Sequence, residues 1–410
     1  MSYVSSAPSQ PFLLIDLIKL RNVTVDVPTK SSWVQAGAVL DEVYHSIASA
    51  SETLAFHAGI CPSVGVGGQI SGGGYKMMLR KYGMAADNIL DAHLVDVDGR
   101  VLDRAAMGED VIWAIRSGGG NTYRIIVSWK LNLVPVPAQL TGFTISKTSE
   151  RNVTKVVDRY QHVADKLPDE LIIRSTASQG QTTIEAVFQG LYLGEAETLL
   201  MVMKQSFSEL ELTQQECTEM TWIEPALYFA GYPNKTSYHE LLNSRSSSPV
   251  QFDKVKAKSD YVQRTLPAKA LQGIWKRFYQ VELGPPLMQI FPHDGEISRI
   301  SDSSIPYPHR SGIIFKIQYY AVWSGEGKEV EKRQLDWIKG LYKFMTPYVS
   351  NNPRGAYPNS RDLDLGKNDP TGSTAYEQAR VWGEQYFKHN FERLARVKAA
   401  IDPSNFFRNE

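Results

Sequence analysis

The sequence predicts an α+β fold built as two domains, and three observations support this prediction. The chain has 410 residues, which is roughly two to three times the usual length of one domain. Segments with the period-two alternation of strands are mixed with segments whose apolar residues repeat at helical spacing. The run Val134-Pro135-Val136-Pro137 breaks the chain where neither pattern continues. We therefore predict a first domain over residues 1–137.

The composition excludes several classes of protein. Lys and Arg together number 44, as do Asp and Glu, so no overall basic field is available for nucleic acid. Hydrophobic residues at 42% and charged residues at 21% are typical of a folded globular chain. No apolar run approaches the roughly 20 residues of a membrane-spanning helix. The two cysteines, Cys61 and Cys217, and the scattered histidines lack metal-ligand spacing. We expect no metal, no membrane and no nucleic-acid partner, and a monomer acting on a small molecule.

The first domain is expected to combine short strands with two helices. Apolar residues at helical spacing predict a helix from Leu40 to Ile47. The dipeptide Asp98-Gly99 predicts the turn of a hairpin. A second, short helix is predicted over 108–116. Strands are predicted over 11–17, 22–27, 32–37 and 125–134, where branched and aromatic residues lie between turn residues.

Beyond the proline break, the same patterns predict a second αβ region. Strands are predicted over 171–176, 183–194 and 315–323. Helices are predicted over 156–167, 195–207, 330–345 and 382–397. The Ser-rich segment 243–250 is predicted to be a surface loop. No internal repeat is present in the sequence.

Two glycine-rich runs are the first segments that indicate chemistry. They occupy 58–83 and 115–126, and both lie in the first domain. One interpretation is a pair of flexible loops or tight turns. The other is a cradle whose main-chain N–H groups approach a phosphate or dinucleotide. Neither run has the GxxxxGK[ST] pattern of a P-loop, and no G-x-G-x-x-G opens a helix after a strand.

Cys61 and one polar strand face give two further candidates. Cys61, inside the first run, is interpreted either as a small buried hydrophobe or as a thiol beside a cofactor. Strand periodicity puts Lys316, Gln318 and Tyr320 on one face of the predicted strand 315–323. That face either meets solvent or lines a cavity. The loop 352–368 is rich in hydrogen-bonding side chains, and no G-x-S-x-G elbow indicates a hydrolase.

Several segments, taken in chain order, closely resemble the berberine bridge enzyme-like family of plant FAD-linked oxidases. They include AGICPSVGVGGQISGGGY, EDVIWAIRSGGG, WKLNLVPVP, TWIEPALYFAGYPN, IPYPHRSGIIFKIQYYAVW, NPRGAYPNSRDLDLG and the ending DPSNFFRNE. The resemblance implies a two-domain flavoprotein of the vanillyl-alcohol oxidase (PCMH) type. It implies an FAD-binding domain over 1–137, a substrate domain with an antiparallel sheet and helices over 138–347, and a segment over 348–410 that returns to the FAD domain.

The resemblance also implies functional residues, position by position. Cys61 matches the cysteine that bonds covalently to the flavin, and Val64 occupies the position at which valine accompanies reaction with dioxygen. Tyr75, Lys316 and Gln318 match polar groups over the flavin on the substrate side and are the expected catalytic residues. The full set of expected FAD-binding residues is Cys61, Ser63, Val64, Gly67, Gly68, Gln69, Gly72, Gly73, Ile125 and Asn359.

The sequence departs from the family pattern in four ways. We expect the N-terminal leader, the pyrophosphate loop and the Gly-His-Asp-Tyr motif to be missing, because the chain starts downstream of them. Ser360 replaces the tyrosine that often serves as base, and a serine hydroxyl is too weak an acid to replace a phenolate. Gln69 stands where histidine is usual. Arg124 replaces a glycine, so it either clashes with the cofactor or pairs with its phosphates.

The expected function is FAD-dependent oxidation of a small organic substrate by dioxygen, with hydrogen peroxide as product. The alternative is a truncated or degenerate member that has no catalytic activity. A third possibility is flavin-assisted cyclisation without net oxidation. The family resemblance implies a secreted or vacuolar glycoprotein, and three Asn-x-Ser/Thr sequons are present, whereas no signal peptide is recognised at the start of the chain.

Overall fold

A five-stranded sheet organises the first part of the chain. The computed structural model describes residues 14–407 except 60, 76, 150–151, 181–182, 234–235, 247–253, 282–283 and 370–373. The strands are β1 (Val23–Asp26), β2 (Ser31–Gln35), β4 (Ile89–Val95), β5 (Val101–Leu102) and β6 (Ile125–Asn132), and a separate ribbon pairs β3 (Leu54–Ala55) with β7 (Val134–Pro135). The sheet order is β1-β2-β6-β4-β5. The predicted hairpin is confirmed, since β4 and β5 pair across a turn in which Gly99 has a φ of 79°.

Short helices cover this sheet. They are α1 (Leu40–Ala50), α2 (Val66–Ser71), α3 (Leu79–Tyr82), α4 (Arg104–Met107) and α5 (Glu109–Ile115). The predicted helices at 40–47 and 108–116 are confirmed by α1 and α5. Leu40, Val43 and Ile47 are fully buried in the first core, as their spacing on one helix face requires.

A seven-stranded antiparallel sheet organises the second part. Its strands are β8 (Leu140–Thr148), β9 (Leu171–Gln179), β10 (Ile184–Tyr192), β11 (Cys217–Met220), β12 (Lys254–Val262), β13 (Leu287–Pro292) and β14 (Phe315–Trp323). The order is β11-β8-β10-β9-β13-β14-β12. The strands predicted over 171–176, 183–194 and 315–323 are confirmed as β9, β10 and β14.

Helices cover one face of the second sheet and form a separate core with it. The helices of this region are α6 (Val153–Val163), α7 (Ala196–Ser206), α8 (Glu224–Tyr228), α9 (Ala268–Phe278), α10 (Glu296–Arg299) and α11 (Lys328–Met345). Apolar side chains of α6, α7, α9 and α11 pack on Ile173, Phe188, Ile290 and Ile317 of the sheet. Because side chains alternate along a strand, the neighbours of these four residues occupy the other face.

The opposite face of the second sheet carries a polar row. Arg174 pairs with Gln189 across β9 and β10. Gln289 pairs with Gln318, and Phe291 pairs with Lys316, across β13 and β14. Register therefore places Arg174, Gln318 and Lys316 on the face turned away from the helices. Antiparallel sheets commonly differ in this way between their two faces.

The C-terminal segment forms two helices, and the predicted single helix over 382–397 is wrong. The helices are α12 (Tyr376–Phe387) and α13 (Asn390–Ile401). Lys388 between them has a φ of 45°, a left-handed conformation that ends the first helix. Leu394 and Val397 of α13 belong to the first core. The segment thus packs on the domain that contains the first sheet.

Two other local predictions differ from the structure. Residues 14–17 of the strand predicted over 11–17 are not a strand, and the remainder of that prediction lies outside the described residues. Leu14 and Ile15 are exposed, and Leu20 donates a hydrogen bond to the Leu17 carbonyl in a turn. Residues 243–246 of the predicted loop 243–250 end a 3-10 helix that starts at Tyr238, and 247–250 lie outside the described residues.

Candidate active site

The first glycine-rich run lies against the start of α1. The Leu40 amide donates to the Val64 carbonyl at 3.0 Å, and the Val66 amide donates to the Ala38 carbonyl at 2.9 Å. The buried Tyr44 hydroxyl donates to the Gly59 carbonyl at 2.8 Å. These bonds fix one side of the run. Its other side is open, because solvent reaches Cys61, Ser63, Gly65 and Gly68, whereas Val64 and Gly67 are partly buried.

The two glycine-rich runs converge, as a cradle requires. The Gly119 amide of the second run donates to the Ser71 carbonyl of the first at 2.9 Å. A Cβ atom added at Gly72 would lie 2.0 Å from Asn359 Oδ1, so only glycine fits there. Cβ atoms added at Gly65 and Gly68 would meet nothing within 4 Å. A main chain without side chains beside open space fits the FAD that the resemblance implies.

Asn359 connects this cradle to the second sheet. Its Nδ2 donates to the Gln69 carbonyl at 2.9 Å. The next residue, Ser360, accepts a hydrogen bond from Gln318 Nε2 in β14. The loop that carries both residues is held by Asp362, which pairs with Lys256 at 2.7 Å and with Lys258 in β12. One loop therefore places the glycine cradle and the polar row beside each other.

Lys316 lies inside an aromatic box. Its Nζ is 3.7 Å from the ring centre of Tyr75, 4.0 Å from that of Tyr357 and 5.3 Å from that of Phe291. Only 1% of the residue is exposed. This burial holds the pKa of the Lys316 amine well below its usual range. A lowered pKa makes the amine easier to deprotonate, which favours a proton acceptor at the polar face.

Tyr75 connects Lys316 to a buried histidine. Its hydroxyl is hydrogen-bonded to Nδ1 of His293, and Nε2 of His293 faces the main-chain oxygen of His309. Burial raises the pKa of Tyr75 well above its usual range. Burial also lowers the pKa of His293 to about 3, with the nearby charge of Arg310 acting in the same direction. Tyr75 is therefore a phenol and His293 a neutral imidazole at physiological pH.

Cys61 faces the polar row from the side of the cradle. Desolvation by the surrounding protein raises the pKa of the Cys61 thiol, and the charge of Arg174 opposes that shift. Burial lowers the pKa of Arg174 to about 10. The Arg174 Nε donates to Gln189 Oε1 at 2.8 Å. Tyr320, whose pKa burial raises to about 12, also interacts with Cys61. The thiol is thus close to the face that carries Gln318.

The structure shows the partners of Arg124 and Gln69, two residues that depart from the family pattern. Arg124 is buried and donates to the Ile401 carbonyl at the end of α13, so it is directed at the C-terminal segment and not at the cradle. Its cation is favourable there because a helix C-terminus carries partial negative charge. Gln69 Nε2 donates to the Ala58 carbonyl at 2.9 Å. Gln69 thereby fixes the main chain three residues before Cys61.

The expected site residues come from the two glycine-rich runs, strand β14 and the loop that carries Asn359. Cys61, Gln69, Tyr75, Lys316, Gln318 and Asn359 are connected by the contacts described above. Ser63, Val64, Gly67, Gly68, Gly72 and Gly73 belong to the same glycine-rich run. Ile125 lies at the start of β6, where it pairs with Val95 in the first sheet.

Sequence patterns missed Arg174 and His293. Arg174 interrupts the apolar run LIIRST, and a lone arginine in an otherwise apolar strand is the signal that could have indicated it. His293 follows strand β13 directly, and nothing in its sequence surroundings distinguishes it from other histidines. Its role depends on the fold alone.

Two further cavities are present among the described residues. One is a surface recess of about 360 Å³, and it is lined by Ser149, Asn152, Val153, Thr154, Lys155, Asp158 and Ala268, none of which is an expected site residue. A cavity of about 30 Å³ lies under the first glycine run, between Tyr44, Gly59 and Trp222. Within the described part of the chain, no three His, Cys, Asp or Glu side chains form a metal-binding group. The described helices include none that is long and apolar enough to cross a membrane.

Comparison with known proteins gives a consistent result over the whole chain. The family model "FAD binding domain" matches residues 1–104, and the model "Berberine and berberine like" matches residues 356–410. Berberine bridge enzyme-like 26 of Arabidopsis thaliana is 48% identical over 416 residues, which cover 100% of this chain and 76% of that protein. Monolignol oxidoreductase AtBBE-like 13 of the same plant is 46% identical, with coverages of 100% and 76%.

A solved structure agrees with this comparison. The structure of BBE-like #28 from Arabidopsis thaliana superposes with a TM-score of 0.92 at 44% identity, covering 98% of this chain and 82% of that one. The two-domain α+β fold of FAD-binding PCMH-type oxidoreductases that the sequence predicted is thereby confirmed. With these matches and the converging glycine runs, the chain belongs to the berberine bridge enzyme-like family of FAD-linked oxidoreductases.

Proposed function

We propose that this protein is an FAD-dependent oxidase that oxidises an alcohol, sugar, monolignol or alkaloid with dioxygen and releases hydrogen peroxide. The observation that carries the proposal is the meeting of two features at one place. The open glycine cradle with Cys61 lies beside a polar sheet face that holds a desolvated amine, Lys316. When bound, FAD would supply the hydride acceptor and the route of electrons to dioxygen.

In this proposal the cradle residues hold the cofactor. Cys61 would carry the covalent bond to the flavin, since its thiol is exposed toward the cleft. Gly67, Gly68, Gly72 and Gly73 let the main chain approach the cofactor. The remaining expected contacts come from Ser63, Val64, Gln69, Ile125 and Asn359. Asn359 and Gln69 also brace each other through the 2.9 Å bond between the Asn359 amide and the Gln69 carbonyl.

The polar face would handle the proton of the substrate. Lys316 is the base, because burial keeps its amine neutral and able to accept a proton. Tyr75 holds its own proton, since burial raises its pKa, and it orients the substrate instead. Gln318, which donates to Ser360, would orient the reacting group. Ser360 itself is too weak an acid to act as an anion near neutral pH.

Purification of the flavin-loaded protein tests the proposal. The protein should be yellow, and the colour should stay with the pellet after acid precipitation, because acid releases a flavin that is held only by noncovalent contacts. Cys61→Ala should release the colour into the supernatant. Cys217→Ala, at the other cysteine in β11, is the matched control and should retain it. Peroxide release on addition of coniferyl alcohol then tests oxidation.

A second candidate is a family member that binds its ligand without turnover. Ser360 favours it, because the position faces Gln318 with a hydroxyl that cannot serve as base. Yellow protein that releases no peroxide with alcohols, sugars or alkaloids supports this candidate. Colourless, aggregating protein contradicts the oxidase proposal. A redox-neutral cyclisation would instead convert substrate without peroxide.

The setting of this activity is proposed from the resemblance alone. We propose a monomer that is secreted or vacuolar. A fluorescent fusion to the C-terminus of the protein, expressed in plant cells, together with light scattering of the purified protein, tests both statements. Retention in the cytosol or a dimer in solution would contradict them.

A further inference from the structure

The hydrogen bonds of His293 determine where its proton lies. Its Nε2 faces the main-chain oxygen of His309, and a carbonyl oxygen only accepts. Nε2 therefore carries the hydrogen. In a neutral imidazole the other nitrogen, Nδ1, then has a lone pair and no hydrogen. The bond between Nδ1 and the Tyr75 hydroxyl has one possible direction, with Tyr75 as donor.

The surroundings keep His293 in this state. The residue is fully buried, and it lies between rings: Tyr75 stacks on it at 5.6 Å and Tyr261 meets its edge at 5.9 Å. The charged groups that act on it, Arg310 and Lys388, are both basic and disfavour a further positive charge on the imidazole. Burial lowers its pKa to about 3. A charged imidazolium, which would reverse the hydrogen bond to Tyr75, is thereby excluded at physiological pH.

We infer that His293 is a positioning residue that fixes the Tyr75 hydroxyl as a hydrogen-bond acceptor toward the cleft, so that the site selects substrates that present a donor there. The single hydroxyl hydrogen of Tyr75 is used on His293, which leaves only lone pairs for a ligand. An alcohol or a protonated amine supplies a donor, whereas an ether or a ketone leaves the oxygen unpaired. The inference rests on the proposed function for the identity of the ligand but not for the state of His293.

The state of His293 is tested on the full chain without flavin. Nitrogen NMR of protein labelled in the histidine rings distinguishes a nitrogen with a hydrogen from one with a lone pair. Of the eight histidines, His293 is assigned by loss of its signals in His293→Gln. We expect Nδ1 to have the lone pair and Nε2 the hydrogen, and Tyr75→Phe to shift the Nδ1 signal.

A matched control distinguishes the hydrogen bond between Tyr75 and His293 from the effect of removing any hydroxyl that packs near the imidazole. Tyr261→Phe removes another hydroxyl beside the same ring and should leave the Nδ1 signal of His293 in place. A hydrogen on Nδ1, or a signal that Tyr75→Phe does not move, overturns the positioning role. Because Phe retains the ring in both variants, loss of folding is not the expected outcome.

Ligand selection is tested on the flavin-loaded enzyme with coniferyl alcohol and its methyl ether as probes. The inhibition constant of the ether should be about five- to tenfold higher than the KM of the alcohol. This factor corresponds to the loss of one hydrogen bond. In Tyr75→Phe the ratio of the ether's inhibition constant to the alcohol's KM should be near one. A ratio that stays high in this variant would show the effect of the size of the methyl group. If this ratio is near one in the unaltered enzyme, the inference that Tyr75 selects ligands with a hydrogen-bond donor is wrong. If the alcohol is not oxidised at all, the proposed function fails, and the NMR result still decides the role of His293.

Discussion

Lys316 is buried without any carboxylate beside it in the described part of the structure, and its nearest partners are aromatic rings. The faces of Tyr75 and Tyr357 lie 3.7 Å and 4.0 Å from Nζ. Ring faces attract a cation, but this attraction is smaller than the cost of removing an ammonium from water. The neutral form is favoured for this reason. A functional site that retains a buried lysine without a carboxylate partner lowers the stability of the fold.

Replacing Lys316 by methionine should stabilise the fold at neutral pH and abolish oxidation. Between its lowered folded pKa and its unfolded value, the unfolded chain binds the extra proton, so the stability of the unaltered protein rises with pH. The advantage of Lys316→Met should therefore shrink by about 1.4 kcal/mol for each pH unit as the solution is made more basic. Urea unfolding across the range from neutral to moderately basic pH measures this slope. Lys204→Met, at an exposed lysine of α7, is the control, and a constant difference for Lys316→Met would contradict the prediction.

Ser360 is the second residue for which a substitution is informative. In flavin-loaded protein, Ser360→Tyr should raise the rate of peroxide release at least tenfold, since base catalysis contributes about 10²–10⁴-fold. Ser360→Phe adds the ring without the oxygen and should give no gain. An equal gain in the rate of peroxide release from both variants would show that the size of the side chain at position 360, and not the phenol oxygen, raises the rate.

Among elements, the loop from residue 356 to 364 depends on strand β12 for its position. Asp362 is 3% exposed and accepts hydrogen bonds from the amines of Lys256 and Lys258. Asp364 pairs with Lys258 at 2.8 Å. The same loop carries Asn359 and Ser360. A weakened anchor would therefore disturb the cradle and the polar face together.

Asp362→Asn should destabilise the protein by about 3 kcal/mol, because it leaves two buried ammonium groups with one carboxylate. Chemical denaturation measures this change. The matched control is Asp336→Asn, which removes an exposed partner of Lys332 in α11 and should cost less than about 1 kcal/mol. A similar cost for both variants would contradict a structural role for the buried cluster. Loss of flavin from Asp362→Asn alone would show that the loop also supports the cradle.

The sequence predicts helices and strands well where one face is apolar and the other polar. It predicts them poorly where contacts between distant residues determine where an element ends. The alternation of Lys316 and Gln318 with apolar neighbours located β14 and its polar face, because a strand has only two faces. The break at Lys388 was missed, since the apolar stripe continues through it and only the left-handed backbone shows the end of α12. His293 was missed for a related reason. Its partners, Tyr75 and His309, are 218 and 16 residues away, and no local pattern records them.

At the scale of the whole molecule, the chain around Asp302 and Ser303 contacts both the first domain and the C-terminal segment. Trp113 Nε1 donates to the Ser303 carbonyl at 2.8 Å, and Asn390 Nδ2 donates to the Asp302 carbonyl at 2.6 Å. Arg310 and Asp87 form a buried ion pair at 2.6 Å between the two halves of the chain. The boundaries at 137 and 347 stay predictions, but these contacts show how firmly the parts are joined.

Arg124→Met should loosen the end of α13, because the Ile401 carbonyl then loses its buried donor. The expected cost is about 1–3 kcal/mol. Hydrogen exchange should be faster at the last turn of α13 and unchanged in β14. Arg396→Met, at an exposed arginine of the same helix, is the control. Unchanged exchange near Ile401 in Arg124→Met would show that apolar packing by Leu394 and Val397 suffices.

The bond from Arg124 to Ile401 also sets an order of events during synthesis. The two residues are 277 positions apart, so a ribosome exposes the arginine long before its acceptor exists. Until residue 401 emerges, the Arg124 cation of the nascent first domain has no helix end to receive it. Contacts at such separation form late and slow the completion of a fold. We therefore expect the partly made chain to spend a long interval in which Arg124 lacks its acceptor at Ile401.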